Sequence, residues 1–283
     1  MMIEAQWSEQ LAAVHAEIAP ALPRNVEPRT VELAAFTAVG ERDLAMRLWT
    51  EARDAADAAR RSVRAGLRER HGSRRPGGWP LMVLLVGALC AAVAAVLSSG
   101  LRFDPADTVA TVVTLSGLAA LACIVVMIAA RGRALNRAVI RLHGVATVGL
   151  VLAAVFTVGR GWDTTAMILL VTAAIGVAGL VGVLVARARD SADTELVDTA
   201  ENVALAETKP EVEAVGLRLR AETEAALDAA TAERIVALRD TVLAEIAARG
   251  ITLEPVPPRT PAGSVIIDAL LATWVPEVMR GEV

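Results

Sequence analysis

Two length scales organise the apolar positions of this chain. Four stretches, about residues 80–99, 108–130, 141–159 and 163–186, are almost free of charge and hold nine to eleven Leu, Ile, Val or Phe residues each. A hydrocarbon layer about 30 Å thick needs roughly 20 apolar residues in a helix, because backbone N–H and C=O groups have no water there to bond. Each stretch meets that length, with an insertion free energy on the order of −3 to −6 kcal/mol. The pattern therefore predicts an all-α protein with a four-span transmembrane domain over 79–187. The third span is the shortest, since Arg141 and Arg160 bracket it and must snorkel toward the headgroups. Trp79 and Trp162 stand at the entrances of the first and fourth spans, where an indole prefers the interface.

Outside these stretches the apolar positions recur every three or four residues instead. In the N-terminal segment, 1–75, the residues Ile3, Trp7, Leu11, Val14 and Ile18 make one helical stripe that stops at Pro20 and Pro23. A second helix is expected after Pro28 and Thr30. Its stripe is Leu33, Phe36, Gly40, Leu44, Leu48, Ala52, Ala55, Ala59, Val63 and Leu67, with an interruption at 71–78. The segment 188–250 is acidic, with fourteen Asp or Glu against six Lys or Arg between Asp190 and Arg249. One helix is expected over 190–208, and Pro210 is expected to start another that ends at Gly250 after about 60 Å. On it Leu227, Thr231, Ile235, Leu238, Val242 and Ile246 keep coiled-coil-like spacing. Segment 251–261 reads as a stiff Pro-rich linker. Segment 262–283 reads as a short helix whose apolar side carries Ile266, Ile267, Leu270, Leu271 and Trp274. Its acids Asp268 and Glu277 disfavour an anionic lipid surface, so docking on protein is expected. Striped helices at both ends of the chain need covering, which predicts a helical bundle or coiled coil within or between chains. The alternative is a pair of solvated, loosely helical tails.

Charge sets the expected orientation. Thirteen arginines flank one end of the spans: Arg60, Arg61, Arg64, Arg68, Arg70, Arg74 and Arg75 before the first, Arg131, Arg133, Arg137 and Arg141 between the second and third, and Arg187 and Arg189 after the fourth. The other end has Arg102 and Arg160, among Asp104, Asp107 and Asp163. The positive-inside bias places both termini in the cytoplasm, consistent with the inner (plasma) membrane. The N-terminus lacks the basic and apolar regions of a cleaved leader, so the first span is expected to act as its own insertion signal.

Composition narrows the chemistry. The 283 residues are 55% apolar, carry net charge −4, lack Tyr and contain one lysine, Lys209. Cys90 and Cys123 fall inside apolar runs and are read as small hydrophobes. No Asp, Glu, Lys or Arg lies within the uncharged core of a span, which weighs against a titratable relay. His143, near Arg141, is expected at headgroup level in contact with water. Small residues repeat every fourth position at Gly87, Ala91, Ala95 and Ser99, and again at Ala174, Ala178, Gly182 and Ala186. These two faces suit helix packing within one bundle, or alternatively an oligomer seam or pore lining. Thr111, Thr114, Ser116, Thr147, Thr157 and Thr172 are expected to bond within their own helices rather than line a polar path. Lys209 has no P-loop context, the Gly176, Gly179 and Gly182 run has no preceding strand, and His15, His71 and His143 lack ligand spacing. No nucleotide, metal, cofactor, hydrolase signature or nucleic-acid partner is expected, the arginine run at 60–75 being a topological and anionic-lipid feature. The functional expectation is a non-enzymatic, multi-pass membrane anchor or scaffold whose cytoplasmic helices bind protein partners or a second copy. A pore-forming or channel-like oligomer gated by those helices is the alternative, and an uncoupled transporter is a third class with no residue in its favour.

Overall fold

A computed structural model describes residues 2–21, 26–75 and 77–276. The expected stop at Pro23 and the acid Glu277 lie outside the described residues, as does the side chain of Ile3. Among the described residues the chain is all-helical, 84% helical with no strands. It divides into two compact units, Arg64–Ala204 and Met1–Val63 with Leu205–Val283.

The unit over 64–204 contains α4 (Trp79–Ser99), α5 (Pro105–Ala130), α6 (Arg137–Val158) and α7 (Thr164–Arg189). All four are long and apolar enough to cross a membrane, with mean hydropathy of 2.0 to 2.7. Polar residues set their starts. Asp104 accepts from the Ala106 N–H at 2.9 Å, Asn136 from Ala138 at 2.8 Å and Asp163 from Ala166 at 2.7 Å, satisfying donors that a helix leaves orphaned. The Asn136 cap starts α6 a turn earlier than the expected boundary at residue 141. Around the bundle the helices follow the order α4, α5, α7, α6, so α4 touches α5 and α6 while α7 closes the ring. The interior is built mainly from Ala with a few Leu and Val, including Ala91, Ala94, Ala119, Leu150, Ala153 and Leu169. Such small side chains let backbones approach: a Cβ placed on Gly149 would lie 2.9 Å from the Ala91 backbone. Large apolar side chains such as Met82, Leu89, Leu121, Ile128, Val148 and Val171 point outward instead, which suits a hydrocarbon surround.

The other unit joins the two ends of the chain. It holds α1 (Met2–Ile18), α2 (Pro28–Ala38), most of α3 (Arg42–His71), the later part of α8 (Ser191–Ala226), α9 (Ala229–Ala248) and α10 (Ser264–Leu271). Here α2 packs against α1, α9 and α10, and α9 also touches α1. The α3 stripe is buried at Leu44, Leu48, Ala52, Ala59 and Val63, with Ala56 taking the inward place expected for Ala55.

Three boundaries differ from expectation. The second N-terminal helix is two, because Gly40 adopts φ +92 and ends α2: its N–H bonds Thr37 O and the Glu41 N–H bonds Phe36 O, the Schellman pattern. At the other end, α8 runs through Pro210 rather than breaking there. Leu205, Thr208, Val212, Gly216, Leu219 and Thr223 form one continuous buried stripe, whereas Pro210 faces outward. A proline on the solvent side of a curved helix is tolerated when a single inner face holds both halves. The break comes instead at Asp228, whose carboxylate accepts from the Thr231 N–H (2.9 Å) and hydroxyl (2.7 Å) and starts α9. The single 60 Å helix is thus replaced by helices of 36 and 20 residues.

Candidate functional site

The most heavily built polar site lies where the two chain ends meet. Glu32 of α2 and Arg239 of α9 are both fully buried and pair at 2.8 Å. The Glu32 carboxylate also accepts from the Gly263 N–H at 3.1 Å and the Ile266 N–H at 2.8 Å, so it caps α10 in place of a residue of the local chain. Arg239 donates further to Thr260 O and to Asp240, and Asp240 accepts from the Arg259 N–H. Burial pushes the Glu32 pKa up, against the pull of Arg239 and the two backbone donors. The Pro-rich segment is therefore pinned at both ends and lays α10 on the unit, burying Ile266, Ile267, Leu270, Leu271 and Trp274. Gly263 is needed at that entry: its φ is +83, and a Cβ there would lie 3.0 Å from Thr223 and 3.1 Å from Leu48. Arg60 donates to Thr273 O at the far end of the docked segment, and Arg218 of α8 pairs with Glu51 of α3 at 3.2 Å.

A second polar cluster closes one end of the four-helix unit. Arg74 meets both oxygens of Asp193 at 2.7 and 2.8 Å, and Asp193 also accepts from the Ala134 N–H at 3.1 Å. Asp198 receives Arg187 in a two-pronged pair and Arg137 Nε at 2.9 Å, while Arg187 also donates to Leu135 O. The first turns of α8 are thereby bound to the segment before α4, the α5–α6 turn and the end of α7. Hydrogen bonds from Arg74 hold the Asp193 pKa below its ordinary value, and those from Arg187 do the same for Asp198.

Of the arginines singled out by charge, Arg74, Arg137 and Arg187 thus pair with α8 carboxylates. Arg61, Arg64, Arg68, Arg131, Arg133, Arg141 and Arg189 are exposed, as is Arg70, and Arg75 is half-buried. Trp79 begins α4 and Trp162 lies just before α7, both exposed. The two small-residue faces part company. Gly87, Ala91 and Ala95 are buried within the bundle and Ser99 is half-buried, whereas Ala174, Ala178 and Gly182 face outward and Ala186 is half-buried. The packing face of α7 is instead Leu169, Ala173, Gly176, Gly179 and Val183.

Among the hydroxyls, Thr114, Thr157 and Thr172 bond within their own helices, but Thr147 donates to Gly176 O across to α7 at 3.1 Å. The water-facing position expected for His143 is overturned. Its side chain is fully buried with its ring against Gly179, because a neighbour without a Cβ leaves room for an imidazole inside the bundle. Cys90 and Cys123 are free thiols. No group of three or more metal-ligating side chains occurs among the described residues. Glu32 and Arg239 escaped the sequence reading because each sits among apolar neighbours on a helix stripe and nothing local couples residues 207 apart.

No family model matches the chain, and neither a curated protein nor a solved structure is similar to it.

Proposed function

We propose that this is a multi-pass protein of the plasma membrane, with both termini cytoplasmic, in which four spans anchor a helical scaffold that binds protein partners. One observation carries the reading: chain segments from before the first span and after the last meet in a single packed unit closed by the Glu32–Arg239 pair. Tails that served only as solvated extensions would have no cause to bury a charge pair and cap a remote helix. A cleft of about 1080 Å³ in that unit, lined by Thr223, Leu227, Val236, Arg259 and Pro261, offers a recess of mixed character for a partner segment. The exposed Leu217 of α8 adds an apolar point of contact. The test is photo-crosslinking in cells from residues placed at positions 217 and 233 of the full chain. A discrete set of adducts that disappears in Arg239→Met supports the scaffold; absence of adducts, or a set indifferent to Arg239→Met, rejects it.

The outward small-residue face of α7, Ala174, Ala178 and Gly182, favours the second reading, a pore-forming or channel-like oligomer. The bundle's own axis is filled by Ala and Leu, so any such path would run between copies. Dye release from liposomes containing the purified protein supports this reading, and its absence across all oligomeric states removes it.

A further inference from the structure

Beside the Arg74–Asp193 pair a cleft of about 890 Å³ opens between the end of α3, the segment leading into α4 and the C-terminal end of α5. Arg70, His71, Arg74, Arg131 and Arg133 line it together with Trp79. Its other wall is apolar, formed by Val125, Ile128 and Ala129 of α5, and Ile128 is 69% exposed. Guanidinium groups thus converge at the mouth of a recess whose flank continues onto the outward apolar face of a spanning helix. Arg74 is engaged directly by Asp193, whose carboxylate also feels the charge of Arg133, while Arg131 and Arg133 both stay exposed. The turn that presents them is tight: Arg131 takes φ +50 at the end of α5, and the Arg133 N–H closes back on Ala130 O at 2.9 Å. A bulky residue with positive φ is uncommon and concentrates at functional positions.

We propose that this cleft binds the phosphate headgroup of an acidic phospholipid, with one acyl chain lying along Val125 and Ile128. Arginine suits the task because its planar fork bonds two phosphate oxygens at once. Trp79, the first residue of α4, adds an indole to the cleft, a side chain that favours the headgroup boundary. Burial first, and then the charges of Arg74 and Arg70, lower the His71 pKa against the opposing charge of Asp193. A free phosphate shares the headgroup chemistry but makes no use of the apolar wall. The inference rests on the membrane reading above and refines it by naming a ligand.

The test uses full-length protein in nanodiscs of phosphatidylcholine containing a minor fraction of dansyl-labelled phosphatidylglycerol, read by energy transfer from tryptophan, with Trp79→Phe identifying the signal from the cleft. Arg131→Asn with Arg133→Gln removes both charges while keeping a residue that tolerates positive φ at 131. Losing two charge-assisted contacts to a phosphate is expected to weaken enrichment of the labelled lipid by about tenfold or more. Arg141→Gln with Arg189→Gln removes two charges at the same end but outside the cleft, and is expected to change enrichment by less than about twofold. Equal losses in the two pairs would overturn the site, leaving only a general surface potential. Displacement of the lipid by millimolar inorganic phosphate would overturn the lipid assignment. Resistance of the protein to carbonate extraction is measured in parallel, so failure to insert, which would refute the membrane reading itself, is told apart from failure to bind.

Discussion

Removing Arg239 strands a carboxylate. In Arg239→Met, Glu32 keeps two backbone donors but loses the guanidinium that meets it, at a position with no solvent exposure. Breaking a buried pair from one side costs about 3–5 kcal/mol when the remaining charge cannot escape. Glu32 has an escape, which is to take up a proton as the unit folds. From an ordinary value of 4.5, neutralising it at pH 7 costs about 3 kcal/mol, so the part of the deficit due to Glu32 is capped near that figure. The sign follows. The variant's folded state holds a proton that its unfolded state has released, so the part of its stability deficit due to Glu32 grows as pH rises and shrinks to under about 1 kcal/mol near pH 5, beside a pH-independent loss of the Arg239 bonds to Thr260 O and Asp240. Because Glu32 caps α10, the opening concentrates at residues 263–275. Hydrogen–deuterium exchange on the full chain in detergent should show amide protection of Ile266 to Leu271 falling by about a hundredfold at pH 7 and far less at pH 5, after correction for intrinsic exchange. A loss of protection independent of pH would refute the idea that Glu32 is the stranded group. Unchanged protection at both pH values would refute the pair as a structural closure.

Four further outcomes test other parts of the fold. Asp198→Asn removes the acceptor of Arg187 and Arg137 and should cost about 1–2 kcal/mol, read as faster tryptic cleavage after Arg187 and Arg189. In the unaltered protein the same clamp, with its depressed Asp193 and Asp198, should hold at full strength above their ordinary value of 3.8 and weaken as pH falls below it; cleavage by an acid-active protease near position 190 that is indifferent to pH there would contradict this. Gly149→Val should lower the melting temperature in detergent by several degrees because its side chain meets the Ala91 backbone, while Gly144→Val on the same helix, with nothing within 4 Å, should not. Pro210→Ala should raise stability, by up to about 3 kcal/mol, since α8 is already continuous there; a loss would mean that the proline is a needed bend.

How much was legible in the residues depended on the range of the interaction. The four apolar helices are decided by local composition and solvent, and Leu44, Leu48, Ile235 and Val242 turn inward as their spacing predicts. Helix breaks were less legible because they are contests. Gly40 read as one more small stripe residue, yet its freedom at positive φ let the chain turn. Pro210 read as a start, yet buried residues on both sides outweighed its missing N–H. The closing pair was invisible for a different reason. Glu32 lies on the α2 face that packs inward, and only the arrival of α9 and α10 from the opposite end of the chain makes a carboxylate tolerable there. His143 shows the same principle inside the bundle, because its depth is set by a glycine on another helix rather than by its distance from Arg141.

The proposed internal scaffold requires that both chain ends lie on the cytoplasmic side of the membrane. Single cysteines placed at positions 102, 161, 51 and 224, in a chain carrying Cys90→Ala and Cys123→Ala, are to be labelled in intact cells with an impermeant maleimide. Labelling at 102 and 161 alone is the predicted result. Labelling at 51 or 224 in unbroken cells would contradict the orientation and remove the basis for an internal scaffold.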